Sequence, residues 1–296
     1  MISSVDSSPK EPGTAMRRLA FAVVVTSWAA IASGQPPPVV TPLEANEEIV
    51  AVETRPGVSV RMVLFKPEGD PKGVFIVYPG GMGRVVARDG RVIRASFTRA
   101  GARHFPTHGF LAALIDVPSD EPRGLDDIQR LGDERIEEAK KLIDYLLRRW
   151  DRPLFALGHS SGTLSATFLA VKLGDPRLRG IVLAGSKGVS SSEMGPRFRN
   201  LHYLPLARIK LPVLFVHHEN DDCRWTSFRG AQQLSKRFDS SPRVDFLAVQ
   251  GGNAVASADP CEGSWTPHDL YGKEAEVVAA IIAWATGAPV PERIGP

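Results

Sequence analysis

Cysteine is scarce in this chain: only Cys223 and Cys261 occur among 296 residues. There is no run of lysines and arginines, and basic residues do not interleave with aromatic ones; a net charge of +3 is scattered along the chain. That spread gives no electrostatic footprint for nucleic acid and excludes it as an expected partner. No internal repeat or low-complexity tract is present. The apolar run Leu19–Ala32, broken only by Thr26 and Ser27, falls short of the ~20 residues that a membrane-spanning helix needs.

What is present begins with that run. Arg17 and Arg18 precede it, and the small residues Ala32, Ser33 and Gly34 follow it. A basic start, a short apolar core and a small-residue cleavage site make a secretory signal, so residues 1–34 are expected to be removed on export to the periplasm or the medium. The polar stretch before Met16 is foreign to such a signal and fits a start codon placed too far upstream. In an exported protein an even pair of cysteines reads as a disulfide, Cys223 to Cys261, rather than a metal site or redox pair. Residues 35–46, "QPPPVVTPLEAN", read as an extended Pro-rich linker. The remainder, 47–290, fits a single α/β domain.

Residues 47–67 read as two strands with a turn at Pro56-Gly57, and 73–83 as a buried strand ending in glycines. Asp89-Gly90 sits at the centre of a small hairpin over 84–97. Further buried strands are expected at 110–120, 153–157, 178–186, 211–220 and 244–250. Ile136, Ala139, Leu142, Ile143, Leu146 and Leu147 fall on one stripe of a helix over 133–150. Other helices are expected from Ser160, over 227–238 and over 273–286. Short strands that are apolar on both faces and alternate with helices imply a mostly parallel central sheet flanked by helices.

Within that pattern, Gly158-His159-Ser160-Ser161-Gly162 stands between a strand and a helix. Strand, Gly-x-Ser-x-Gly, helix is the context in which a sharp turn lifts the central serine clear of the sheet. Ser160 is therefore the candidate nucleophile; the alternative is a Gly-Ser turn whose Ser161 caps the helix. A serine hydroxyl needs a base to take its proton and an acid to orient that base.

These features resemble the α/β-hydrolase superfamily, in its exported esterase and dienelactone-hydrolase type, over nearly everything after residue 47. The resemblance implies an acid just past a late strand, in a stretch of the form strand-His-Gly-x-x-Asp. In "VLFVHHENDD" the acid position falls on Asp221, with Asp222 as second choice and His218 where glycine is usual. It implies a histidine before the last helix, and His268 in "SWTPHDLYGKE" is the one histidine after Asp221. It further implies an oxyanion hole from the backbone N–H of Ser161 and one from the loop "YPGGMG", Gly81 or Met82, where Pro79 replaces a common histidine. A Cys223–Cys261 bond would then tie the acid loop to the histidine loop.

No cofactor is implied, and "HHEND" is a poor metal site because adjacent strand residues face opposite ways. His104 and His108 have i,i+4 spacing, but Pro106 argues against a helix that would align them. The segment 187–210 is too short for a full cap domain and predicts a short flap over an open site. Arg197, Arg199, Arg208 and Lys210 in and around it read as solvated charges ahead of a site for an acidic substrate. The expected reaction is hydrolysis of a small carboxylic ester, with peptide cleavage or non-catalytic binding on the same scaffold as the alternatives.

Overall fold

The structure is a computed structural model and describes residues 40–93, 96–188, 198–255, 257–261 and 265–295. The signal expected over 1–34 lies outside the described residues. No described helix is long and apolar enough to cross a membrane.

In chain order the strands are β1 (Val40–Thr41), β2 (Glu47–Arg55), β3 (Val58–Phe65), β4 (Val74–Tyr78), β5 (Val92–Ile93), β6 (Leu111–Pro118), β7 (Leu154–His159), β8 (Leu178–Ala184), β9 (Val213–His218), β10 (Val244–Val249) and β11 (Arg293–Ile294). The helices are α1 (Phe97–Gly101), α2 (Asp127–Arg130), α3 (Asp133–Arg149), α4 (Gly162–Lys172), α5 (Phe228–Ser235) and α6 (Glu274–Ala285). Nine strands form one sheet in the order β11-β10-β9-β8-β7-β4-β6-β3-β2. From β6 to β11 every pairing is parallel; β3 alone runs against its neighbours β2 and β6.

The two-residue period of a strand divides the core between the faces of this sheet. Ile76, Leu154 and Ala156 pack on one face with the expected stripe of α3 and with Leu164 of α4. Phe75, Val77, Phe155 and Leu157 pack on the other with Phe97 of α1 and with Val277, Ile281 and Trp284 of α6. Both faces are covered, which is why these strands carry no polar alternation.

The sequence expectations differ from this at the margins. Within the linker stretch, Val40 and Thr41 form β1 and pair antiparallel with Val92 and Ile93. The hairpin around Asp89-Gly90 closes through a single Val86–Val92 bridge. A two-residue strand, β11, lies parallel to β10 at the sheet edge and is too short to leave a periodic signal.

Candidate functional site

The carboxyl ends of the parallel strands β4, β7, β8, β9 and β10 all open on one edge, the place where open α/β sheets bind ligands. At the end of β7 the chain turns sharply into α4. Ser160 sits in the turn with φ of +54°, a left-handed conformation that costs an L-residue about 1–2 kcal/mol. The neighbourhood holds it there. Its N–H donates to the Ala184 carbonyl at 3.0 Å, and its carbonyl accepts from the Thr163 N–H at 3.0 Å and the Thr163 hydroxyl at 2.5 Å. The flanking glycines are sterically required. A Cβ on Gly158 would lie 2.3 Å from the Gly162 oxygen, and one on Gly162 would lie 2.1 Å from the Tyr78 oxygen. Ser161 makes no side-chain capping bond to α4, so the helix-capping alternative is not what the turn does.

Beyond β9, the Asp221 carboxylate is buried and fully engaged. Oδ1 accepts from the Cys223 N–H at 3.0 Å. Oδ2 accepts from the Thr226 hydroxyl at 2.9 Å and lies 3.0 Å from Nδ1 of His268. Burial works against charge on Asp221, but the nearby His268 and these hydrogen bonds outweigh it and hold the carboxyl below its ordinary range. Burial likewise opposes a charge on His268, and the charge and hydrogen bond of Asp221 overcome it, so its pKa is raised. With Nδ1–H donating to Asp221, Nε2 carries the lone pair; it is buried and makes no hydrogen bond to Ser160 or to any other group among the described residues. The second-choice acid, Asp222, is exposed.

Two further residues brace this arrangement. The Thr226 hydroxyl is wholly buried and stands 3.0 Å from Nδ1 of His268 as well as bonding Asp221. His159, between Gly158 and Ser160, places Nε2 2.9 Å from the backbone oxygen of His268. Burial, reinforced by repulsion from His268, pushes the His159 pKa down to about 3. His159 is therefore neutral near pH 7, and its Nε2–H donates to the His268 carbonyl. The two rings lie 4.8 Å apart. Sequence reasoning missed both residues, because neither contact has a local signature.

After β4, the Gly80 oxygen accepts from the Gly83 N–H at 3.1 Å and closes a turn over Gly81 and Met82. Gly81 has φ of +56°, and Met82 is 51% exposed. Ser160, Ser161, Gly81, Met82 and His268 line one cleft of about 700 Å³. Phe198 and Trp225 form part of its wall, with ring centroids 4.3 Å apart. Lys187, also on the wall, is buried; its ammonium lies 2.5 Å from Asp127 and 3.7 Å from the centre of the Phe198 ring.

Cys223 and Cys261 form a disulfide. The Cys223 N–H bonds Asp221, and Cys261 lines the cleft beside His268. Asp221, Cys223 and His268 form a compact set of ligand-type side chains, but the sulfur is committed to the disulfide and the imidazole Nδ1 to the carboxylate. With the cysteines 38 positions apart, the chain-entropy model gives the crosslink roughly 3–4 kcal/mol. Reductant, or Cys261→Ser, should therefore lower Tm by several degrees. It should also lower kcat several-fold while the far-ultraviolet circular dichroism persists. Unchanged Tm and turnover under dithiothreitol would show that the bond holds nothing in place.

Arg197 lies outside the described residues, as does 189–197 of the expected flap. Its described remainder, from Phe198, contains short helical turns at Leu201–Tyr203 and Leu206–Arg208. Arg208 and Lys210 are exposed and, with Arg199, do not line the cleft. Nor do His104 and His108, which lie on separate helical turns.

No family model matches the chain, and no curated protein matches it. Solved structures do. A dienelactone hydrolase from Anabaena variabilis superposes with a TM-score of 0.56 at 14% identity, covering 82% of this chain and 99% of its own. A highly thermostable carboxyl esterase from Bacillus coagulans gives 0.54 at 14% identity, covering 82% and 99%. An α/β serine hydrolase without lid from Xanthomonas campestris gives 0.51 at 11% identity, covering 81% and 96%. The sheet order, the covered faces and these superpositions agree that the chain has the α/β-hydrolase fold.

Proposed function

We propose that the protein is a serine hydrolase of small carboxylic esters, acting through Ser160, His268 and Asp221. The observation that carries this reading is the shared cleft. It holds a serine forced into the left-handed region and a histidine whose Nε2 is free while its Nδ1 is bound to a buried carboxylate. Nε2 of His268 takes the proton from the Ser160 hydroxyl as its oxygen attacks the acyl carbonyl. Asp221 keeps the ring in the required tautomer and stabilises the imidazolium. The oxyanion is met by the Ser161 N–H and by one from the Gly81–Met82 turn. The imidazolium then protonates the leaving alcohol, and water, activated by the same histidine, releases the acid from the acyl-enzyme. None of these steps calls on a cofactor.

Nearby folds named as a dienelactone hydrolase and a carboxyl esterase favour esters over peptides. Residues 47–290 act as the catalytic domain. The disulfide supports export to an oxidising compartment, since such bonds persist there. A panel of p-nitrophenyl esters of rising chain length, run beside aminoacyl p-nitroanilides, tests the reading. Short-chain esters should turn over well above the anilides. Faster anilide cleavage would make the protein a peptidase, and no turnover of either by a folded sample would leave it a binding protein.

A further inference from the structure

Arg130 ends the four-residue helix α2, whose first turn is fixed by a capping box between Asp126 and Gln129. Its side chain is among the most buried charges in the molecule, 2% exposed, and it does not line the cleft. Nη2 donates to the Gly81 oxygen at 2.8 Å and to the Pro79 oxygen at 3.2 Å. Nη1 donates to the Ser165 hydroxyl on α4 at 3.2 Å. No carboxylate among the described residues forms an ion pair with it. Burial pulls its pKa down to about 10, with Asp127 and Asp126 partly opposing the fall, so it stays charged near neutral pH. A buried cation spent on neutral oxygens is a costly way to brace a turn. All three oxygens belong to the two elements that flank the oxyanion position.

The direction of the contacts is informative. A trans peptide carries its C=O and N–H on opposite sides, and no cis bond occurs among the described residues. The Gly81 oxygen points at Arg130, behind the loop. The N–H of the same peptide, that of Met82, therefore points away from Arg130, and Met82 itself lines the cleft. We infer that Arg130 is a positioning residue: it aims the Met82 N–H as the second oxyanion donor and, through Ser165, fixes that donor relative to the Ser161 N–H at the start of α4. The same contact polarises the Gly81–Met82 peptide and strengthens the N–H as a donor. This selects Met82 over Gly81, a choice left open by the loop "YPGGMG".

The inference rests on the proposed esterase reading, and the experiment separates the two. Arg130→Ala, Arg130→Lys and Met82→Pro are compared with the unaltered protein on a p-nitrophenyl ester. Affinity for a trifluoromethyl ketone, which forms an oxyanion adduct with the serine, is measured alongside. Losing one oxyanion donor lowers kcat by about 10²–10³-fold. Met82→Pro should show that loss, and Arg130→Ala should lower kcat on the order of 10-fold or more. In both, KM should stay within about 3-fold of its original value while the ketone binds more weakly in proportion to kcat. Added guanidinium should restore part of the Arg130→Ala rate. Arg130→Lys, a point charge without the fork, should recover only part of the original rate. Combining Arg130→Ala with Met82→Pro should add little further loss. Met82→Pro with unchanged kcat and ketone affinity overturns the inference, whether or not Arg130→Ala folds. A folded Arg130→Ala with both quantities unchanged does the same. In either case the esterase reading survives, provided Ser160→Ala is inactive; turnover by Ser160→Ala would defeat that reading instead.

Discussion

Ser160→Ala should remove ester turnover on the order of 10⁶-fold in kcat, the scale of losing a triad nucleophile. The fold should survive, because the backbone bonds that hold the turn, from Ser160 N–H to Ala184 and from Thr163 to the Ser160 carbonyl, do not use the hydroxyl. Ser161→Ala should retain activity within about 10-fold, since its proposed contribution is the main-chain N–H. The Ser161 hydroxyl has one distant contact, 3.5 Å to Lys187. A fluorophosphonate should label the peptide that contains Ser160. Labelling at Ser161, or none in a folded sample, would move the nucleophile elsewhere.

Asp221→Asn should lower kcat by about 10⁴-fold, the cost of a histidine held in the wrong tautomer. An amide at this position can present its N–H to Nδ1, which pushes the ring proton onto Nε2 and removes the base. The acid limb of the pH–rate profile gives an independent reading. Burial favours the neutral imidazole of His268, but Asp221 prevails and raises its pKa. Because the neutral form is the active one, kcat/KM in the unaltered protein should fall as pH drops through a value above the ordinary ~6.5. Without the Asp221 charge, burial is opposed only by the lesser pull of Asp269, and the limb of any residual activity should move to lower pH. Asp222→Asn should leave both rate and profile nearly unchanged, because Asp222 is exposed. The opposite pair of results would assign the acid to Asp222.

The parts of this molecule that could be read in the sequence are those whose physical cause is local. Gly158 and Gly162 announce the turn because the close passage of strand and helix forbids any side chain there. The stripe of α3 announces itself through its 3.6-residue period. Asp221 and Asp222 are adjacent and chemically equal; the way the chain leaves β9, with the Glu219 N–H bonded to Val249, decides which one turns inward. Arg130, Thr226 and Lys187 could not be found this way. Each acts on a residue dozens of positions away, across contacts that no periodicity encodes. One clue was available for Arg130: Asp126 and Gln129 have capping-box spacing and signal a helical start immediately before it.

The bond from His159 to the His268 carbonyl joins positions 109 apart in the chain, and it bears on when during folding the molecule becomes reactive. The elbow around Ser160 needs only β4, β7, β8 and α4, all complete by Ala184. The proposed base arrives some eighty residues later, on a segment anchored by α6. A growing or partly folded chain that has already shaped its serine therefore lacks the group that would activate it. On the proposed mechanism such an intermediate would carry an unactivated serine while its apolar surface is still exposed. Recovery of activity on refolding should accordingly wait for the docking of the His268 segment ahead of α6 and not follow formation of the Ser160 turn alone.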